Sequence, residues 1–203
     1  ATLKASRVPM SNAALPLSLL KAGLQRGSEL TPAPRPQEAP WTYQGLLGRL
    51  ALFTGTGRVS AAVQLIAQAQ QHKEPCAWIV EKGFEPFAPD LQASGVALDS
   101  LMLIRLKEHP QLARAADLLA RTGGVGLVII DSRSLPSKGA LKRLANHAQR
   151  HHMSAVILSD QAHTTHAFSL VARAAPNEHK AQHIRALKDR LNLCVGRIKL
   201  RLP

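Results

Sequence analysis

Leu50-Ala51-Leu52-Phe53-Thr54-Gly55-Thr56-Gly57-Arg58-Val59-Ser60 changes character twice within a few residues. A short apolar run, Leu50–Thr54, gives way to a Gly-Thr-Gly turn, and the turn to the Ala- and Gln-rich run Val59–Gln71. An apolar run bounded by glycine reads as a buried strand, and the segment behind it as a helix. The alternation repeats down the chain. Buried strands are expected at Cys76–Val80, Leu101–Leu106, Val125–Ile130 and Ala155–Ser159, and helices at Gln111–Arg121 and Lys138–His151. Gly123-Gly124 stops the first of these helices. Strands alternating with helices predict an α/β domain whose largely parallel central sheet is flanked by helices on both faces. Beyond Asp160, Ala167–Arg173 and Gly196–Leu202 read as exposed strands.

Outward from this core, the N-terminal side differs in kind. Ser11 to Gly27 carries Leu15, Leu17, Leu19, Leu20 and Leu24 and ends on glycine, as a helix does. Four prolines then fall within Thr31 to Pro40, an extended and stiff composition. The expected organisation is an N-terminal docking helix at 1–30, a Pro-rich tether at 31–41 and the α/β domain at 42–203. Leu17, Leu20 and Leu24 are the docking candidates, and either the chain's own core or another molecule can receive them.

Charge separates the two ends. Residues 133–203 hold 13 of the 26 Lys and Arg but 3 of the 13 acids, so they carry +10 of the net +13. Such asymmetry points to a polyanionic partner: DNA, RNA, an acidic protein or anionic lipid. Aromatics make up only 3% of the chain, so any nucleic-acid contact should rest on phosphate charge rather than on base stacking. The candidates are Lys138, Lys142, Arg143 and Arg150 on the basic helix, then Arg173, Lys180, Arg185, Lys188, Arg190, Arg197, Lys199 and Arg201. In the last strand Ile198, Leu200 and Leu202 alternate with Arg197, Lys199 and Arg201, which puts the cations on one outer face. A merely solvated face is the alternative for each group. Two cysteines, Cys76 and Cys194, are too few for a disulfide framework, and no run approaches the length of a membrane helix. A cytoplasmic protein without membrane contact is expected.

Strand, glycine turn and helix is also the layout of a phosphate-binding loop, with backbone N–H groups cradling phosphate at a helix N-terminus. That chemistry needs a Lys for the β- and γ-phosphates and a Ser or Thr for Mg²⁺, with an Asp at the end of a neighbouring apolar strand. Asp131 fills the last place. Gly55 and Gly57 form the turn, but Arg58 stands where Lys is needed and Val59 where the hydroxyl is needed, with Ser60 one position late. The turn is short for a triphosphate, and the planar guanidinium of Arg58 does not replace a compact ammonium. No cofactor and no catalysis are expected from this degenerate site.

These stretches resemble the bacterial recombinase RecA. The resemblance runs through Gly48 to Gln70, Cys76-Ala77-Trp78-Ile79, Ala120 to Ser132 and Ser154 to Gln161. It implies a central sheet flanked by helices and a leading helix that packs on a neighbouring subunit, and Gln161 matches the family's nucleotide-sensing Gln. The departures matter equally. Glu81 lies one residue before the position of the water-activating carboxylate, which Lys82 occupies, and the loops after Asp131 and Gln161 are short. Among degenerate relatives of this kind the chain is most similar to the ImuA family of mutagenesis accessory proteins. That resemblance implies a non-catalytic role in SOS-induced translesion synthesis, with RecA, an ImuB-type polymerase homologue and DNA as partners. A SulA-like inhibitor of cell division, binding FtsZ, is the alternative.

Nine histidines raise the question of a metal. His147 and His151 are spaced i, i+4 on the basic helix, with His152 adjacent, and His163 and His166 flank a short loop. Sequence places no acid or cysteine beside the helical pair, so solvated or DNA-facing histidines are expected and no metal. Ser132, Ser159, Asp160 and His163 supply the residue types of a hydrolase triad, but no G-x-S-x-G accompanies them.

Overall fold

The structure, a computed structural model, describes residues 41–160, 166–176, 182–189 and 198–200. The N-terminal docking helix, most of the tether and Cys194 lie outside the described residues. The elements run α1 Tyr43–Leu46, β1 Leu50–Thr54, α2 Arg58–Gln71, β2 Cys76–Glu81, α3 Ala88–Ala93 and a 3-10 turn at Leu98–Ser100. Then follow β3 Leu101–Leu106, α4 His109–Thr122, β4 Leu127–Asp131, α5 Lys138–His151, β5 Ser154–Ser159, β6 Leu170–Pro176, β7 Gln182–Asp189 and β8 Ile198–Leu200. They form one sheet in the order β3-β2-β4-β5-β1-β6-β7-β8. The first six strands in that order are parallel, and β7 and β8 add antiparallel.

Each face of the sheet has its own core, because alternate residues along a strand point to opposite sides. On one face Phe53, Trp78, Ile129, Val156 and Ala172 pack beneath α2 through Ala62, Leu65, Ile66 and Ala69. On the other, Leu52, Ile79, Val128, Ile157 and Val171 meet α4 and α5. Those two helices present narrow stripes, Leu112, Ala116 and Ala120 from α4, and Leu141, Leu144 and Ala148 from α5. Gly123 ends α4 in the left-handed conformation at φ 68°, where a Cβ would strike the ring of His151. Ser137 caps α5, its side chain accepting from the N–H of Ala140.

Two strands depart from expectation. Leu101–Leu106 was expected to be buried, but it is β3 at the end of the sheet order, with Met102 and Leu103 exposed. Ala167–Arg173 was expected to be exposed. The strand starts later, at Leu170, and lies between β1 and β7 with Leu170, Val171, Ala172 and Ala174 buried. Buried Arg49, 4% exposed, was not foreseen either. Its guanidinium donates to Ser169 Oγ at 3.2 Å, Gly45 O at 3.2 Å and Ser169 O at 3.1 Å, tying α1 to the approach of β6.

Candidate functional site

The carboxyl ends of β1, β4 and β5 bring the phosphate-loop candidates together. Gly55 leaves β1 at φ 88°, and a Cβ there would land on the carbonyl oxygen of Ala174 in β6. The N–H of Gly57, which a phosphate-binding loop would aim at its ligand, donates to that same carbonyl at 3.1 Å. Arg58 folds back over the turn. Its Nη1 donates to Gly55 O at 3.2 Å, and its Nη2 pairs with Asp160 at 2.6 Å. The turn is thus closed by backbone on one side and by its own guanidinium on the other. Ser60 does not reach the end of β4: it is exposed on α2 and lines a groove of about 500 Å³ toward α3 with Val63 and Phe87.

Asp131, at the end of β4, sits beside this cluster. Burial pushes its carboxyl up to about 6, the Arg58 charge pulls it back down, and Asp160 adds to the rise. Glu81 at the end of β2 stands 4.0 Å from Arg133, whose guanidinium lies over the ring of Phe84 at 4.0 Å. The carboxylate that sequence placed one residue early is therefore engaged with Arg133. Gln161 lies outside the described residues, as do Lys180, Arg190, Arg197, Arg201, Leu17, Leu20 and Leu24.

Of the basic candidates, Lys138, Lys142, Arg143 and Arg150 are exposed along α5, and Arg173 is exposed on β6. Arg143 reaches across to Asp117 of α4 at 3.4 Å. Strand register sets Arg185 opposite Arg173, Lys188 opposite Val171, and Lys199 opposite His183, while Ile198 stands opposite Ile184. Val171 belongs to the core beneath α4 and α5. Backbone positions 171, 173, 183, 185, 188 and 199 thus fall on the sheet face on which α5 lies, whereas Ile184 belongs to the opposite core.

His147 is not solvated as expected: it is half-buried, with Nε2 3.6 Å from Asp117, and its ring stacks on His151 at 6.2 Å. No metal-holding cluster of His, Cys, Asp and Glu occurs among the described residues. Of the paper triad, Asp160 is taken by Arg58, and His163 lies outside the described residues. Ser132 does meet a histidine, but it is His109 at the start of α4, at 2.8 Å. Sequence reasoning missed His109, because the pair is separated by a strand and a helix.

Sheet order, helices on both faces and a strand–turn–helix against an Asp-ended strand define an α/β domain with a largely parallel central sheet, the fold that the resemblance implied. Comparison with known proteins agrees at that level. Over 90 residues, 42% of this chain, the sequence is 33% identical to the RecA protein of Rhodospirillum rubrum. Over 79 residues, 38% of the chain, it is 35% identical to that of Rickettsia massiliae. The chain spans about a quarter of the length of these relatives, 24% and 22%. The solved RadB recombinase superposes with a TM-score of 0.58 at 16% identity, covering 78% of this chain and 89% of that one. No family model matches the chain.

Proposed function

We propose that the chain is a RecA-like accessory protein of DNA repair, non-catalytic at its degenerate nucleotide site, working in SOS-induced translesion synthesis in the manner of the ImuA family. Its partners would be RecA, an ImuB-type polymerase homologue and DNA bound without sequence preference. One observation carries the non-catalytic half: the Gly57 N–H and the space over the turn are taken by Ala174 O and by Arg58, itself held by Asp160. A triphosphate would have to displace all three and would then find neither Lys nor a magnesium-binding hydroxyl. Support for the DNA half comes from the sequence similarity to RecA and from the basic α5 and C-terminal strands.

Fluorescence anisotropy of a labelled single-stranded oligonucleotide at low and moderate salt tests the reading, with ATP turnover measured in the same samples. Salt-sensitive binding without turnover is expected. Hydrolysis stimulated by DNA and lost in Asp131→Asn would instead make the protein a motor. Indifference to DNA even at low salt, together with FtsZ binding, would place it with the division inhibitors.

A further inference from the structure

A cavity of about 610 Å³ opens between the N-terminal ends of α4 and α5, apart from the phosphate-loop cluster. His109 and Ser134 lie on it, and behind them stands Ser132, buried at 6% exposure. Ser132 Oγ is 2.7 Å from the carbonyl oxygen of Ser134 and 2.8 Å from His109 Nδ1, and Ser134 Oγ is 2.8 Å from His109 Nε2.

These contacts determine where the protons are. A hydroxyl has one hydrogen, and a carbonyl can only accept, so Ser132 donates to Ser134 O. Toward His109, Ser132 must then accept, which places the imidazole proton on Nδ1. In the neutral ring Nε2 is left with its lone pair, and Ser134 donates to it. The result is a hydroxyl hydrogen-bonded to a basic nitrogen whose ring is oriented by a third group, the arrangement that activates serine nucleophiles.

We infer that Ser134 is a nucleophile with His109 as its base, reactive toward carboxylic esters of an apolar acyl group bearing a negative charge. Ser134 Oγ attacks the ester carbonyl as its proton passes to His109 Nε2. The C–O bond to the alcohol breaks, and the imidazolium returns that proton to the departing alkoxide. Water, deprotonated by the same nitrogen, then releases the acid and frees Ser134. Pro110, Ala113, Leu135 and Pro136 give the cavity an apolar wall for the acyl group. Arg114 and Arg143 line it too, and since Asp117, also on the lining, is engaged by Arg143 at 3.4 Å, one net positive charge remains on the wall. Because α5 begins at Lys138 beside the cavity, its N-terminal N–H groups favour negative charge developing there. Ser132 is a positioning residue: it keeps the proton on Nδ1.

The test is labelling of the full chain with an alkyl fluorophosphonate, read by intact mass and peptide mapping, beside hydrolysis of p-nitrophenyl butyrate. One adduct per chain on Ser134 is expected, absent in Ser134→Ala and at least tenfold slower in His109→Gln. Ser132→Ala should slow labelling and Ser132→Thr restore it, which a purely structural hydroxyl would not do for a rate compared at equal thermal midpoint. No adduct above that of the heat-unfolded chain would overturn the inference. So would an adduct that survives Ser134→Ala, or a rate indifferent to His109→Gln in a variant that remains folded.

Discussion

Gly55, Gly83 and Gly95 share the left-handed region at φ 88°, 92° and 84°, yet their surroundings differ. A Cβ at Gly83 or Gly95 meets nothing within 4 Å, whereas at Gly55 it runs into β6. Gly83→Ala and Gly95→Ala should therefore lose only the backbone strain, about 1 kcal/mol. Gly55→Ala should lose about 3 kcal/mol or more, because the strand carbonyl must also move. Urea denaturation of the three variants checks this, and equal losses would show that β6 does not press on the turn. Asp131 makes a pH prediction of definite sign. Its folded carboxyl is raised to about 6, so between about pH 4 and 6 the folded state binds the proton that the unfolded state has released. Stability then falls as pH rises through that window, and the cost of the buried charge is fully present above pH 6. Asp131→Asn should be more stable than the parent at pH 7.5, by about 1–2 kcal/mol after allowance for solvent and for the Arg58 attraction, with the gain vanishing near pH 4. A variant less stable than the parent at pH 7.5 would mean that the pairing with Arg58 outweighs burial.

The link from α1 to the approach of β6 depends on Arg49, whose donors reach Gly45 O, Ser169 O and Ser169 Oγ. Arg49→Met keeps the aliphatic bulk but leaves those acceptors without the guanidinium, so a loss of about 2–4 kcal/mol in thermal or urea unfolding is expected. A neutral result would show water taking over those contacts. Nothing in the sequence marked this arginine, which stands at the head of an apolar strand and looks like any surface charge. The strands of the parallel core were legible because strands buried on both faces read as continuous apolar runs. Their burial order was not. Leu101–Leu106 is apolar enough for a central strand, and only the pairing order puts β3 at the end of the sheet. β7 escaped notice for a different reason. Ala172 pairs with Ala186 but Val171 with Lys188, so the register shifts by a residue and the period of two is broken within the strand. The site divides the same way. Asp131 shows in sequence as the polar end of the most apolar run, and Arg58 shows as the wrong residue in the turn. The carbonyl of Ala174 that fills the turn, and the meeting of Ser132 with His109, come from chain segments that only folding brings together.

Among the described residues, α5 and the neighbouring strand β6 carry exposed cations. Lys138, Lys142 and Arg150 are exposed on α5, and the register places Arg173, Arg185 and Lys199 on the sheet face that α5 and α4 cover. A single-stranded backbone crossing both groups would release counterions at each, and affinity would fall with salt by about 0.7 per phosphate in the logarithmic slope. Replacing Lys138, Lys142 and Arg150 together by Gln should reduce that slope by about 2, and so should replacing Arg173, Arg185 and Lys199. Between 50 and 200 mM salt a reduction of about 2 amounts to roughly a 16- to 20-fold smaller loss of affinity. Lys73, Lys82 and Lys107, exposed in the part of the chain where acids nearly balance bases, form the control set and should leave the slope unchanged. Anisotropy titrations at four salt concentrations measure all three. If the control set changes the slope as much as the other two, DNA is reading net charge alone, and the arrangement around α5 has no part in binding. If only the strand set changes it, the contact lies beyond β6 and α5 is a solvated helix whose cations serve its own solubility.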